Sequence, residues 1–349
     1  MTVPIPSHLQ AGLLVLVALG LYALFGGADF GGGIWDLFAS GPSAARQRGA
    51  IARAMGPVWE VNHVWLIFAL VVAFTAFPSG FSTITVALFW PLHLALAGLI
   101  LRGAAFALRP APEAQVGGRR GAWSWVFGVA SLLTPLLMGM TVGLLTPGEG
   151  GTPLVADRPL GSAGWWSPLS LGVGLLAAAT SAYVAAVFMT LETGGELQAL
   201  FRRRALASAG VVAGLTLMSL GSLAEAAPAL ADRLFAPPAL PVTAGGLVAA
   251  VLAATSLWRR DYPAARVLAA LQVAGMVGSF ALARGPYVVY PTLSLQEAAA
   301  PAGVVSTVIG ISLPGLALLV PALGLLWAVF KSPRTPAHPA EGTTARRPS

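Results

Sequence analysis

Apolar residues run through this chain in blocks of about twenty, and the polar residues gather in the short intervals between them. A bilayer core about 30 Å thick needs a helix of roughly that length, so each block predicts a spanning helix. Nine such cores can be drawn: Leu9–Phe30, Val58–Phe77, Phe81–Leu108, Trp123–Leu145, Trp166–Leu191, Ala205–Ala224, Val242–Leu257, Ala264–Ala283 and Val304–Phe330. Pro286, Pro291 and Pro301 punctuate the connection before the last of them. Residues 1–331 read as a single integral membrane domain. Residues 332–349, rich in Pro, Thr, Ala and Arg, read as a disordered cytoplasmic tail.

Composition supports the pattern. Of 349 residues, 56% are hydrophobic and only 9% charged, against about 25% charged in soluble domains. Cysteine is absent, which excludes disulfides and thiolate metal sites. The net charge of +7 does not point to nucleic acid, because the basic residues lie between apolar blocks rather than on one soluble surface. The start of the chain has no basic region and no small-residue cleavage site, so a removed signal peptide is not expected.

The basic residues also set an orientation. Seventeen of the twenty fall in alternate intervals, in the C-terminal tail or, as Arg102 and Arg266 do, just inside the block ends beside those intervals. Only Arg158, Arg233 and Arg284 fall in the other set. Basic loops stay in the cytoplasm, so the N-terminus is expected outside and the C-terminus inside. The abundant glycines, among them Gly31-Gly32-Gly33, suit close helix packing.

A few polar residues fall within or beside the apolar blocks. Glu60 sits in Gly56-Pro57-Val58-Trp59-Glu60-Val61-Asn62-His63-Val64-Trp65, and Asp29 in Gly26-Gly27-Ala28-Asp29-Phe30-Gly31-Gly32-Gly33. Such an acid costs at least about 2.5 kcal/mol to insert and marks a functional position by default. In antiparallel neighbouring helices, Asp29 and Glu60 come to similar depth on the cytoplasmic side. Two carboxylates there are suited to exchange protons. The plainer readings are a helix-end acceptor for Asp29 and an ion pair with Arg53 or another interfacial arginine for Glu60. His63, three residues after Glu60, can relay protons, bind a metal or hydrogen-bond a neighbour. His93 follows Pro91 and can either ligate a haem or fill a bonding gap beside the proline. Glu192 and Glu196 precede Arg202-Arg203-Arg204 and read as interfacial charge pairing.

These motifs resemble subunit II of the cytochrome bd-type quinol oxidases across roughly residues 10–330. The resemblance rests on Gly-Ala-Asp29-Phe-Gly-Gly-Gly, Trp59-Glu60-Val-Asn62-His63-Val-Trp65-Leu, Phe-Thr-Ala-Phe77-Pro78, Leu101-Arg102-Gly103, Thr193-Gly-Gly-Glu196 and Tyr290-Pro291. It implies an all-α, polytopic protein of two four-helix bundles plus a peripheral helix in a bacterial inner membrane. The implied partner is a haem-bearing subunit I carrying haems b and d and oxidising membrane quinol. This chain is expected to ligate no haem itself, although a quinone or lipid can fill its core. By the same resemblance Glu60 and Asp29 are the proton-path acids, while Trp59, Asn62, His63, Arg102 and Glu196 are motif positions without an assigned role. Gly26 departs from the family's pattern, where many relatives have an acid. A route through that position would then use water, Glu60 or Asp36. A purely structural scaffold subunit and a proton- or cation-coupled transporter are the competing functions.

Overall fold

A computed structural model describes residues 5–109, 121–146, 154–161 and 164–331, with side chains throughout these ranges except at 55–61 and 326–331. The tail read as disordered, 332–349, lies outside the described residues. The chain divides into two compact units, Met1–Ile311 and Ser312–Ser349.

The first unit is built from long helices. They are α1 (Ser7–Leu37), α2 (Ala44–Ala76), α4 (Phe89–Leu108), α5 (Ala122–Leu144), α6 (Pro168–Glu192), α7 (Gly195–Ala226), α9 (Ala239–Trp258) and α10 (Tyr262–Arg284), joined by short α3 (Pro78–Ala87) and α8 (Pro228–Leu234). A small antiparallel hairpin, β1 (Tyr287–Val289) and β2 (Leu293–Ser294), and α11 (Leu295–Ala298) lead to α12 (Ala302–Lys331). Among the described residues, eight helices are long and apolar enough to cross a membrane. A ninth span is possible if a bent helix pair counts as one.

The helices outrun the hydrophobic blocks that predict them. At 1.5 Å per residue the 33 residues of α2 extend about 50 Å, well beyond the hydrocarbon. Arg46, Arg48 and Arg53 are therefore helical rather than loop residues, and α1 continues two turns past Phe30. The third predicted span begins too early. Pro78 has no N–H to give and disfavours helical geometry at the residue before it. Phe77 accordingly leaves the helix (φ −134°, ψ 58°), and α3 turns 115° from the Asn62–Ala76 segment before α4 starts at Phe89. The same device recurs at Pro228, where Ala227 (φ −148°, ψ 71°) separates α7 from α8. Each half of the chain thus runs long, long, short, long, long.

The two halves form two four-helix groups. In the second, α6, α7, α9 and α10 close a ring, each packed on two others of the group. In the first, α1 packs on α2 and α5, and α5 on α4. The halves meet where α1 and α5 pack on α6, and α6 is buried continuously from Ser181 to Thr190, as an all-round apolar helix must be. Gly31 makes the α1–α6 approach possible, since a Cβ there would overlap the Ser181 carbonyl.

Loops complete the broken helices. The Ala300 amide donates to the Ala76 carbonyl at 2.9 Å, and the Leu160 amide to the Ala87 carbonyl at 2.8 Å. Pro91 has no N–H to offer that second carbonyl, so the loop supplies the missing donor.

Candidate functional site

Asp29 lies inside α1, two turns from its end, and is 2% exposed. It is not a helix-end acceptor. Its Oδ1 accepts from Arg102 of α4 at 2.5 Å and its Oδ2 from the Asn62 amide of α2 at 2.8 Å. Arg102, 1% exposed, also donates from Nε to Ser131 Oγ of α5 at 2.9 Å and from Nη2 to the Asp29 carbonyl at 3.2 Å. All four long helices of the first bundle therefore meet in one buried cluster. A charge in such surroundings persists when it is paired and hydrogen-bonded, and Arg102 is paired through Nη2 and bonded through Nε.

A second pair lies two turns along the same helices. Arg109 approaches Asp36 at 3.4 Å, and both acids and both arginines are spaced by seven residues, which returns each to the same helix face. Phe127 of α5 meets both guanidiniums, with Arg102 Cζ 4.9 Å and Arg109 Cζ 4.1 Å from its centroid. Phe30 and Phe106 flank the two arginines at 5.1 and 4.9 Å. Aromatic faces attract desolvated guanidinium groups, so the aromatic layer supports both pairs. Tyr22, one face-repeat before Asp29, directs its hydroxyl toward Met138 of α5. Asn62 Oδ1 and Thr134 Oγ1 are buried near this cluster's helices with no protein partner.

Among the motif residues, Asp29, Asn62 and Arg102 come together directly. Glu60 and Trp59 sit on α2, but their side chains lie outside the described residues. Glu196 is at the N-terminal turn of α7, exposed and paired with Arg46 at 3.1 Å. It stands with Glu192, 3.8 Å from Arg266, in the interfacial pairing foreseen for them. The partners come from other helices, however, rather than from Arg202, Arg203 or Arg204. Arg202 instead caps the end of α9 through the Leu257 and Trp258 carbonyls at 2.7 and 2.8 Å. His63 is half-buried on α2. His93 is exposed on α4, stacked on Phe89 with a centroid distance of 3.9 Å and Nδ1 2.8 Å from the Phe89 carbonyl. Among the described residues no group of three or more His, Cys, Asp or Glu is arranged to hold a metal.

Sequence reasoning missed Ser131, Phe127 and the Asp36–Arg109 pair. The available signal was the matched spacing of Asp29 with Asp36 and of Arg102 with Arg109, opposite charges repeating every seven residues on two helices.

Apolar helices around a cross-braced ionic core define an integral membrane protein of the all-α polytopic class. The cytochrome bd terminal oxidase subunit II family matches residues 8–330, and the chain belongs to that family. It is 28% identical over 202 residues to the cytochrome bd ubiquinol oxidase subunit 2 of Bacillus subtilis (strain 168), covering 57% of this chain and 58% of that one. With the cytochrome bd-I ubiquinol oxidase subunit 2 of Escherichia coli (strain K12) it shares 29% identity over 217 residues, covering 60% and 55% respectively. The chain thus spans under three fifths of the length of either relative. The bd oxidase of Geobacillus thermodenitrificans has the same fold, with a TM-score of 0.78 over 93% of this chain and 98% of the matched chain at 22% identity.

Proposed function

We propose that this chain is the non-haem-ligating subunit II of a bd-type terminal oxidase. In this reading a partner subunit I carries haems b and d, oxidises membrane quinol and reduces dioxygen to water. The family match over residues 8–330 carries the reading. The subunit lies in a bacterial inner membrane with its N-terminus outside and C-terminus in the cytoplasm, as the placement of seventeen of its twenty basic residues argues.

The haems supply the redox chemistry when the complex is assembled; this chain's residues would support assembly and bring protons. Glu60 and Asp29 are the acids of that supply. Arg102 and Asn62 each hold one Asp29 oxygen by a single bond, and each oxygen keeps a further lone pair for a proton. That makes Asp29 a fixed charge beside the route as readily as a carrier on it, with Glu60 the mobile acid.

Purification of the tagged full-length chain tests the assignment. A haem-bearing membrane chain should co-purify, showing b- and d-type optical bands and quinol-dependent oxygen uptake. Purification alone, without haem, would refute it and favour a transporter.

A scaffold reading is supported by the same ion pair, since the Asp29 cluster ties four helices. The substitution Asp29→Asn separates the two. Loss of assembled, haem-containing complex supports the scaffold. Intact haem with reduced turnover supports proton supply.

A further inference from the structure

A cavity of about 360 Å³ opens where the N-terminal turn of α2 meets that of α7, lined by Ser43, Arg46, Glu196, Leu197, Leu200 and Arg203. Two arginines and one glutamate line it, and Arg203 has no ion-pair partner among the described residues. Neither helix start carries a side-chain cap: Ser43 before α2 and Gly194 before α7 make no capping bond. The helix dipoles at both starts add positive potential to that of the arginines. Leu197 and Leu200 give the cavity an apolar side. Its walls are held by Arg204 of α7, which donates to Gln47 Oε1 of α2 at 2.9 Å and packs over Trp35 of α1 at 4.8 Å.

We propose that this cavity binds the phosphodiester headgroup of an anionic phospholipid, with Arg46 and Arg203 as its ligands and Glu196 as a built-in competitor. A basic pocket between helix ends, with an aliphatic flank at headgroup level, matches a lipid phosphate attached to an acyl chain. The Arg46–Glu196 contact is an exposed pair, with side chains 64% and 84% accessible. Such pairs contribute little, and a phosphodiester can engage Arg46 and Arg203 together through its two anionic oxygens. Glu196, a motif position with no previous role, thereby sets the affinity of the site. The inference stands apart from the proton chemistry and does not depend on it.

Native mass spectrometry of the delipidated, purified complex, titrated with phosphatidylglycerol or phosphatidylcholine, tests it. One phosphatidylglycerol should be retained in preference to phosphatidylcholine. Arg46→Gln and Arg203→Gln should each weaken retention about fivefold, the effect of one basic residue at a membrane surface. Glu196→Gln should strengthen it, whereas a merely structural Arg46–Glu196 pair predicts no gain. That variant keeps the test decisive if the arginine variants fold poorly. Equal retention of both lipids, displacement by millimolar inorganic phosphate alone, or no gain with Glu196→Gln would overturn the proposal.

Discussion

Arg102 is a central member of the buried polar network. Its guanidinium satisfies Asp29, bonds Ser131 and stacks on two phenylalanine rings. Removing it strands a buried carboxylate, a loss of about 3–5 kcal/mol in comparable pairs. Arg102→Gln should therefore lower the thermal stability of the detergent-purified protein sharply. Adding Asn at position 29 should recover part of the loss, because the two changes share one interaction. A double-mutant cycle on melting temperature measures this; strict additivity would deny the coupling. At the membrane edge, Glu297 takes two bonds from Ser294, from its amide at 2.9 Å and its hydroxyl at 2.7 Å, and these hold its carboxyl below the usual range. A depressed acid adds stability above its unfolded pKa and loses it as pH falls through the folded one. The start of α11 should therefore loosen only under acid conditions. Ser294→Ala removes the hydroxyl bond but keeps the larger contribution from the amide, so it should move the Glu297 titration only part of the way back to its ordinary position, read by side-chain carbon NMR.

At the scale of elements, helix existence was legible and helix ends were not. Hydropathy marks only the part of a helix that lies in hydrocarbon, so it missed the projecting turns of α1 and α2 and placed Arg46 in a loop. It also merged α3 with α4, because the break at Leu88 (φ −98°, ψ 30°) is a backbone event inside a continuous apolar run. Asp29, Asn62 and Arg102 were each singled out from sequence. Their union was not, because it crosses from α1 to α4 and depends on which helices are diagonal. Close approach offers a clean test at this scale. A side chain at position 31 would meet the Ser181 backbone, whereas at Gly20 of the same helix nothing lies within 4 Å. Gly31→Ala should destabilise by about 1–3 kcal/mol, as overpacking does. Gly20→Ala should be neutral or stabilising by up to about 1 kcal/mol, the helical advantage of alanine. Similar melting temperatures for the two variants would contradict the packing of α1 on α6.

At the scale of the whole molecule, two similar halves differ in what they bury. The first half encloses two ion pairs and an amide; the core of the second, around Tyr183, Val212, Ala269 and Val273, is largely apolar. The second half also buries Arg284, bonded to the Val288 carbonyl, so it is the buried, paired acids that point to the first half as the place where this subunit serves its complex. The proposed service is delivery of cytoplasmic protons through Glu60, beside the fixed Asp29–Arg102 pair, to oxygen chemistry in the partner. Quinol-driven oxygen uptake by the assembled complex carrying Glu60→Gln tests this most directly, with haem content measured on the same sample. The account predicts turnover reduced by tenfold or more, on the order of a lost general acid or base, with the haem spectrum unchanged. Normal turnover in a fully haem-loaded Glu60→Gln complex would contradict it.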